Sequence, residues 1–243
     1  MADRPAPRVA LLDWDNTLHH GWTLEPWVRF LVERGQAPDS LAVDGEQLTR
    51  DYLEGRLEDH SDLAHRANTL YASAAAGWAT SDLAALVGPF VDQVDRPLVY
   101  GFVPTLLGWL GERGIEPVVV TGAPTELVVG YVESAGGRVV GLTLTESDGR
   151  YTGAVGRNPG PATEKARAVA EVIAEGYEVV LGAGDSVSDL PLLQAGRHQL
   201  VVGNPDLARL FPGTSLLVEP RSTSGDELRR RLDQLFDGEL SGG

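Results

Sequence analysis

Short apolar runs recur along this chain, and the runs that best fit strands stop at polar clusters. Residues 8–14 (RVALLDW), 115–121 (IEPVVVT), 178–183 (EVVLGA) and 199–203 (QLVVG) read as strands, and 215–219 (SLLVE) as a last one. Helical patterns separate them. Residues 103–113 run to Gly114, 125–135 follow Pro124 and end at Gly136-Gly137, and 162–175 stop at Gly176. Strand and helix in alternation predict a parallel sheet covered by helices on both faces. The stretch 138–155 differs: its halves flank Asp148-Gly149, a β-hairpin turn signal.

Residues 22–98 break the alternation. They carry helical patterns at 24–34, 41–53, 61–76 and 81–95 and no convincing strand. Ser61 and Thr80 or Ser81 are the N-caps expected there, and Pro89 is expected to kink or end the fourth helix. The domain reading is a discontinuous core over 1–21 and 99–222, a helical insert over 22–98, and a C-terminal helix (DELRRRLDQLF) with a tail over 223–243. That helix is expected to lie on the core of its own chain, in a monomer or a homodimer.

Composition narrows the classes. An apolar fraction of 42% supports a folded core, and the absence of cysteine removes disulfides, thiolate metal sites and cysteine nucleophiles. No apolar run approaches the ~20 residues of a membrane span, and the N-terminus lacks a signal-peptide core, so a cytoplasmic protein is expected. The net charge of −15 disfavours nucleic acid and anionic membranes as partners, but not a small anion held through a cation. Of the 20 basic residues, Lys165 is the only lysine. Either this is chance and a solvated charge, or position 165 needs a compact ammonium that a guanidinium does not imitate.

In an open α/β sheet, ligands bind beyond the carboxyl ends of the strands. Asp13 and Asp15 leave the first strand one residue apart, a spacing that suits a metal together with a reacting group, or simply a capped turn. Thr121-Gly122 ends the second; a hydroxyl, a glycine and a helix start make a small anion cradle or an ordinary cap. Asp185 and Asp189 follow the glycines of GAGDSVSD, where two acids four residues apart suit successive shells around a cation.

Taken together, DWDNT, the TG of VVVTGAP, Lys165 and GDSVSD resemble the motif set of the haloacid dehalogenase superfamily, across residues 9–190. The helical insert, DGRYTG and GNPDLARL resemble its phosphoserine phosphatase-like branch. The resemblance implies a Rossmann-like core with a helical cap after the first strand. It also implies a magnesium-dependent hydrolase of a small phosphorylated metabolite. Asp13 would be the nucleophile, and Asp15 the general acid and base. Thr121, Gly122 and Lys165 would hold the phosphoryl group. Mg2+ would sit on the Asp13 carboxylate, the Asp15 main-chain carbonyl and Asp185, with Asp189 orienting Lys165 or a bound water. A second acid at position 15 sets the chain apart from the dehalogenase branch.

One departure concerns substrate. Phosphoserine phosphatases carry a glutamate soon after the first motif, where this chain reads LHHGWTLEP and Glu25 is displaced; phosphoserine is therefore not the expected substrate. Candidates to touch the leaving group are His19, His20, Trp22, Arg56 and His60, with Arg56 foremost; each is equally a common surface or packing residue. The competing readings are a phosphoryl transferase or mutase on the same nucleophile, and a non-catalytic phosphate-binding module.

Overall fold

The computed structural model describes residues 5–237. Seven strands form one sheet: β1 (Arg8–Leu12), β2 (Ile115–Pro124), β3 (Arg138–Ser147), β4 (Arg150–Arg157), β5 (Glu178–Gly184), β6 (His198–Val202) and β7 (Ser215–Val218). Their order is β4-β3-β2-β1-β5-β6-β7, parallel except for the β3–β4 hairpin. At the hairpin turn Asp148 and Gly149 both adopt positive φ (51° and 72°), the backbone that a tight two-residue connection requires.

The apolar runs are continuous because both faces of the sheet are covered. Val9 and Leu11 face α7 (Ala162–Ala174) and α8 (Leu190–Ala195) through Ala168, Val172 and Leu192. Ala10 and Leu12 face the other way, into a cluster with residues of α5 (Val103–Glu112), α6 (Thr125–Val132) and α10 (Gly225–Asp237). Helix α10 lies on its own chain: Leu228 and Leu232 are buried in that cluster, and Trp109 and Arg113 donate to Asp233 at 2.8 and 2.6 Å. The expected tail beyond Asp237 lies outside the described residues.

Residues 22–98 contain α1 (Leu24–Glu33), α2 (Asp39–Leu53), α3 (His60–Ala74) and α4 (Thr80–Phe90). Their own core gathers Trp27, Phe30, Tyr71 and Phe90 and rests on Leu127 of α6 and Leu142 of β3. Two local expectations are corrected. The N-cap of α3 is Asp59, whose carboxylate accepts from Asp62 N at 3.0 Å, not Ser61. Neither Thr80 nor Ser81 caps α4: the cap is Ala79, and the Thr80 hydroxyl is spent on Gly149 O of the hairpin turn. Pro89 stands one residue before the end of its α-helix, as expected: α4 stops at Phe90 and the chain widens into a π turn over Val91–Asp95.

Candidate active site

The strand order turns at β1: successive strands run outward through β2 and β3, and the chain then returns to the other side of β1 with β5. The crevice beyond the carboxyl ends of β1, β2 and β5 is the switch point of the sheet. It is where the structure brings the four sequence clusters together.

Asp13 continues β1 by one ladder bond, its N–H donating to Ala183 O at 3.1 Å. Lys165, on the first turn of α7, reaches up with only 3% exposure; Nζ donates to Asp13 Oδ1 at 2.6 Å and, closer still, to Asp189 Oδ1. The Thr17 hydroxyl donates to Asp13 Oδ2 at 2.8 Å, so both oxygens of Asp13 are held. Asp185 and Asp189 converge without an α-helix: a 3-10 turn, Val187–Asp189, opens with a capping box between Ser186 and Asp189. Asp189 Oδ2 accepts from Asp185 N at 3.0 Å and Ser186 N at 2.9 Å. Gly184 is required for this closeness, since an added Cβ would stand 2.3 Å from Asp189 Cβ.

Asp15 turns away from this cluster. Its carboxylate accepts from Thr23 N at 2.9 Å and from the Thr23 hydroxyl at 2.6 Å, which ties it to the start of the helical segment. Thr121 is fully buried, and its hydroxyl accepts from Ala123 N at 3.0 Å. The cradle is not a helix N-terminus as expected, because β2 runs on to Pro124 and α6 begins at Thr125. Gly122 lies against the loop before α7, with an added Cβ 3.2 Å from Gly160 Cα. Asn68 of α3 donates to Gly122 O at 3.2 Å and to Asn158 Oδ1 at 3.0 Å, a polar tie between the helical segment and the crevice.

The electrostatics follow from burying four acids with one base. Burial, then the Asp189 charge, pushes Asp13 up to about 7 despite Lys165. Burial, then the charges of Asp13 and Asp189, pushes Asp185 up to about 8. Burial also raises Asp15, only partly offset by His19 and by the Thr23 hydrogen bonds. Burial opposes ionisation of Asp189, but Lys165 and the Ser186 and Asp185 N–H groups hold it below the usual carboxylate range. Burial would depress Lys165, yet Asp13 and Asp189 outweigh it and hold the ammonium above its ordinary value.

A divalent cation suits this donor set. Oxygens of Asp13, Asp185 and Asp189 lie within 4.8 Å of one another, and all are hard ligands. Asp189 Oδ2 already accepts from three loop donors and its Oδ1 from Lys165, whereas each Asp13 oxygen accepts a single bond, which leaves Asp13 and Asp185 better placed to face an ion. Three carboxylates against one ammonium leave two negative charges, the amount a divalent ion neutralises.

The crevice opens into a cavity of about 260 Å³ lined by Asp13, Asp15, Thr121, Gly122, Lys165 and Asp185 at one end and by α1–α3 at the other. Trp22 and His60 line it. Three expected leaving-group contacts do not. Arg56 lies exposed beyond α2, clamped by Asp51 and Glu54. His20 is exposed, with Arg221 Nη2 at 2.8 Å from its Nε2. His19 is fully buried, stacked on Trp14, with Nε2 3.1 Å from Asp95 Oδ1. The other oxygen of Asp95 accepts from the Tyr131 hydroxyl at 2.7 Å. Thr17, Thr23 and Asn68 were not singled out from sequence. Thr17 stands inside DWDNT, where its hydroxyl was a readable signal; nothing local marks the other two.

A parallel sheet with a buried acid–lysine cluster at its switch point, under a helical insert, defines a class of α/β enzyme core. The family model described as haloacid dehalogenase-like hydrolase matches residues 10–194, and the chain belongs to that family. Among solved structures it is similar to a protein of unknown function from Bordetella pertussis Tohama I. That likeness has 22% identity, covers 88% of this chain and 99% of that one, and gives a TM-score of 0.71. It is also similar to a phosphoserine phosphatase solved as a phospho-aspartyl intermediate analogue, at 17% identity, 95% and 100% coverage and TM-score 0.60. Cytosolic 5'-nucleotidase IIIB bound to cytidine follows at 11% identity, 98% and 88% coverage and TM-score 0.62. At these identities the likeness is one of fold. No curated protein sequence matches the chain significantly. Among the described residues, no helix is long and apolar enough to cross a membrane.

Proposed function

We propose that the protein is a magnesium-dependent phosphomonoesterase that acts on a small phosphorylated metabolite through an aspartyl-phosphate on Asp13. The observation that carries this reading is the buried bridge from Lys165 to Asp13 and Asp189, with Asp185 beside it. Lys165 and Thr17 fix the Asp13 carboxylate at the mouth of the cavity. As an Asp13 oxygen bonds to phosphorus, the ester P–O bond breaks, and the leaving oxygen takes a proton from Asp15. The raised pKa of Asp15 favours that protonated start, and Thr23 holds the group in place. Asp15, now ionised, takes a proton from water; the water oxygen bonds to phosphorus, the Asp13–phosphorus link breaks, and the carboxylate returns. Lys165 and the Thr121–Ala123 segment face the transferring oxygens. Magnesium, held by Asp13, Asp185 and the Asp15 carbonyl, would shield the negative charge of nucleophile and phosphoryl group as they approach. The helices α1–α4 act as a cap that covers the leaving group.

The direct test is phosphate release from a generic aryl phosphate. Release is expected with Mg2+ and is expected to vanish with a chelator. Turnover that appears only with a bisphosphate or an alcohol acceptor would shift the reading to a phosphoryl transferase. Phosphate binding without turnover would make the chain a binding module.

Stability should report the same acid cluster. A carboxyl whose folded-state pKa lies above its unfolded value stabilises the fold while protonated. That contribution is complete below about pH 4 and is lost as pH rises through the folded value. Asp13 and Asp185, raised to about 7 and about 8, therefore make the metal-free protein less stable as pH climbs toward 8. Asp189, held low, is ionised throughout that window and adds no slope. The melting temperature of metal-free protein should fall on the order of 5 °C between about pH 5.5 and about pH 8.5. Saturating Mg2+ should remove most of that fall. A melting temperature indifferent to both would exclude the cluster as a cation site.

A further inference from the structure

The cavity beyond the acid cluster also constrains what the phosphate is attached to, given the phosphatase reading above. Between α1, α2 and α3 its wall is mostly apolar: Val28, Leu41 and Leu63 are buried and face it, and the charged Glu25, Arg29 and Glu46 stand at the exposed rim. Trp22, Tyr52 and His60 add an aromatic side, with ring centroids 5.9–6.2 Å apart. These rings lean on one another, so they form a wall and not a box open to a cation.

The cationic groups on the lining are engaged. Among the described residues, the only Lys and Arg side chains that line the cavity are Lys165 and Arg29. Lys165 is engaged by Asp13 and Asp189. Arg29 is engaged by Glu25 at 2.9 Å and Glu46 at 3.2 Å, at the exposed rim. Burial keeps His60 below its ordinary pKa, hence neutral at physiological pH, and its Nδ1 has no hydrogen-bond partner. No lining group is left to neutralise a carboxylate or second phosphate on the leaving group. Glu25, the acid nearest in sequence to the first motif, already has its cation and is not waiting for an ammonium. A strongly hydroxylated leaving group would meet few partners along Val28, Leu41 and Leu63 and would lose hydration there.

We propose that the leaving group is an uncharged, apolar alcohol, alkyl or aryl, seated between α1, α2 and α3 against the Trp22–Tyr52–His60 wall. Burying one methylene contributes about 0.8 kcal/mol, about a fourfold gain in kcat/KM per added carbon. The experiment is initial-rate kinetics of the wild-type protein with Mg2+ on n-alkyl phosphates from ethyl to hexyl, beside serine phosphate, glycerol phosphate and choline phosphate. A rise of about fourfold per methylene is expected, with hexyl phosphate far above the three polar esters. Binding of n-alkylphosphonates, followed by calorimetry, should strengthen by the same step, a readout that needs no turnover. Trp22→Ala should flatten the series. A flat series, or a preference for serine or choline phosphate, overturns this inference and leaves the phosphatase reading standing. No turnover of any ester overturns that reading and this one with it.

Discussion

Asp13→Asn should abolish phosphate release, with a loss of about 10⁴-fold or more, because the amide has no anionic oxygen to bond to phosphorus. The same change should leave the fold intact. Burial and Asp189 already make the ionised form of Asp13 unfavourable. A neutral group of the same shape removes that repulsion; its amide oxygen can still accept from Lys165, and its NH2 can donate to the Thr17 hydroxyl, whose own proton then turns to Asp185 Oδ1 at 3.3 Å. The melting temperature of the metal-free variant at about pH 8 should therefore equal or exceed that of wild type. Activity and stability moving in opposite directions would mark Asp13 as a functional group held at a structural cost. Residual turnover near the wild-type level would remove Asp13 as the nucleophile.

Lys165→Met should be damaging in both respects. Nζ is the shared counter-ion of two buried carboxylates, and deleting one member of a buried ionic cluster typically costs about 3–5 kcal/mol. In a chain of this size that corresponds to a melting temperature lower by about 10 °C. Turnover should drop by about 10³-fold or more, since Asp13 loses the donor that orients it and the transferring oxygens lose a cation. The instability should ease toward about pH 5, where the raised carboxyls take up protons. Lys165→Arg should not restore activity, because a planar guanidinium is too bulky for a site built around one ammonium between Asp13 Oδ1 and Asp189 Oδ1. Thermal melts and single-turnover rates on the three proteins decide this, and wild-type behaviour in Lys165→Met would reduce the lysine to a solvated charge.

The sheet was readable because its strands are buried on both faces. Val9 to Leu12 and Val118 to Val120 must be apolar without interruption, and such runs stand out in one dimension. Their polar ends were readable for the same reason: Asp13, Thr121 and Asp185 stand where a buried strand meets a crevice. The helical insert could be recognised as helices, but not in its details. Asp59 outcompetes Ser61 as a cap, and the Thr80 hydroxyl turns to the hairpin, because each choice depends on where the neighbouring chain passes.

Side-chain destinations within the insert were hidden for a deeper reason. Arg56 is a good anion binder by chemistry, yet Asp51 and Glu54 claim it on the surface. His19 and His20 are adjacent in the chain, and neither lines the cavity: one is fully buried beside Trp14 and Asp95, the other exposed beside Arg221. Thr23 became the anchor of Asp15, and Asn68 the tie to Gly122, through contacts across 8 and 54 residues of chain. The sequence alone determined a covered parallel sheet whose strand ends carry acids, a hydroxyl and a nearby lysine, because burial and local backbone chemistry write those in short windows. Only the tertiary structure decided which acid is held low and which are raised. It also decided which residues of the helical insert face the cavity and that the cavity wall there is mostly apolar, because these depend on packing between segments far apart in the chain.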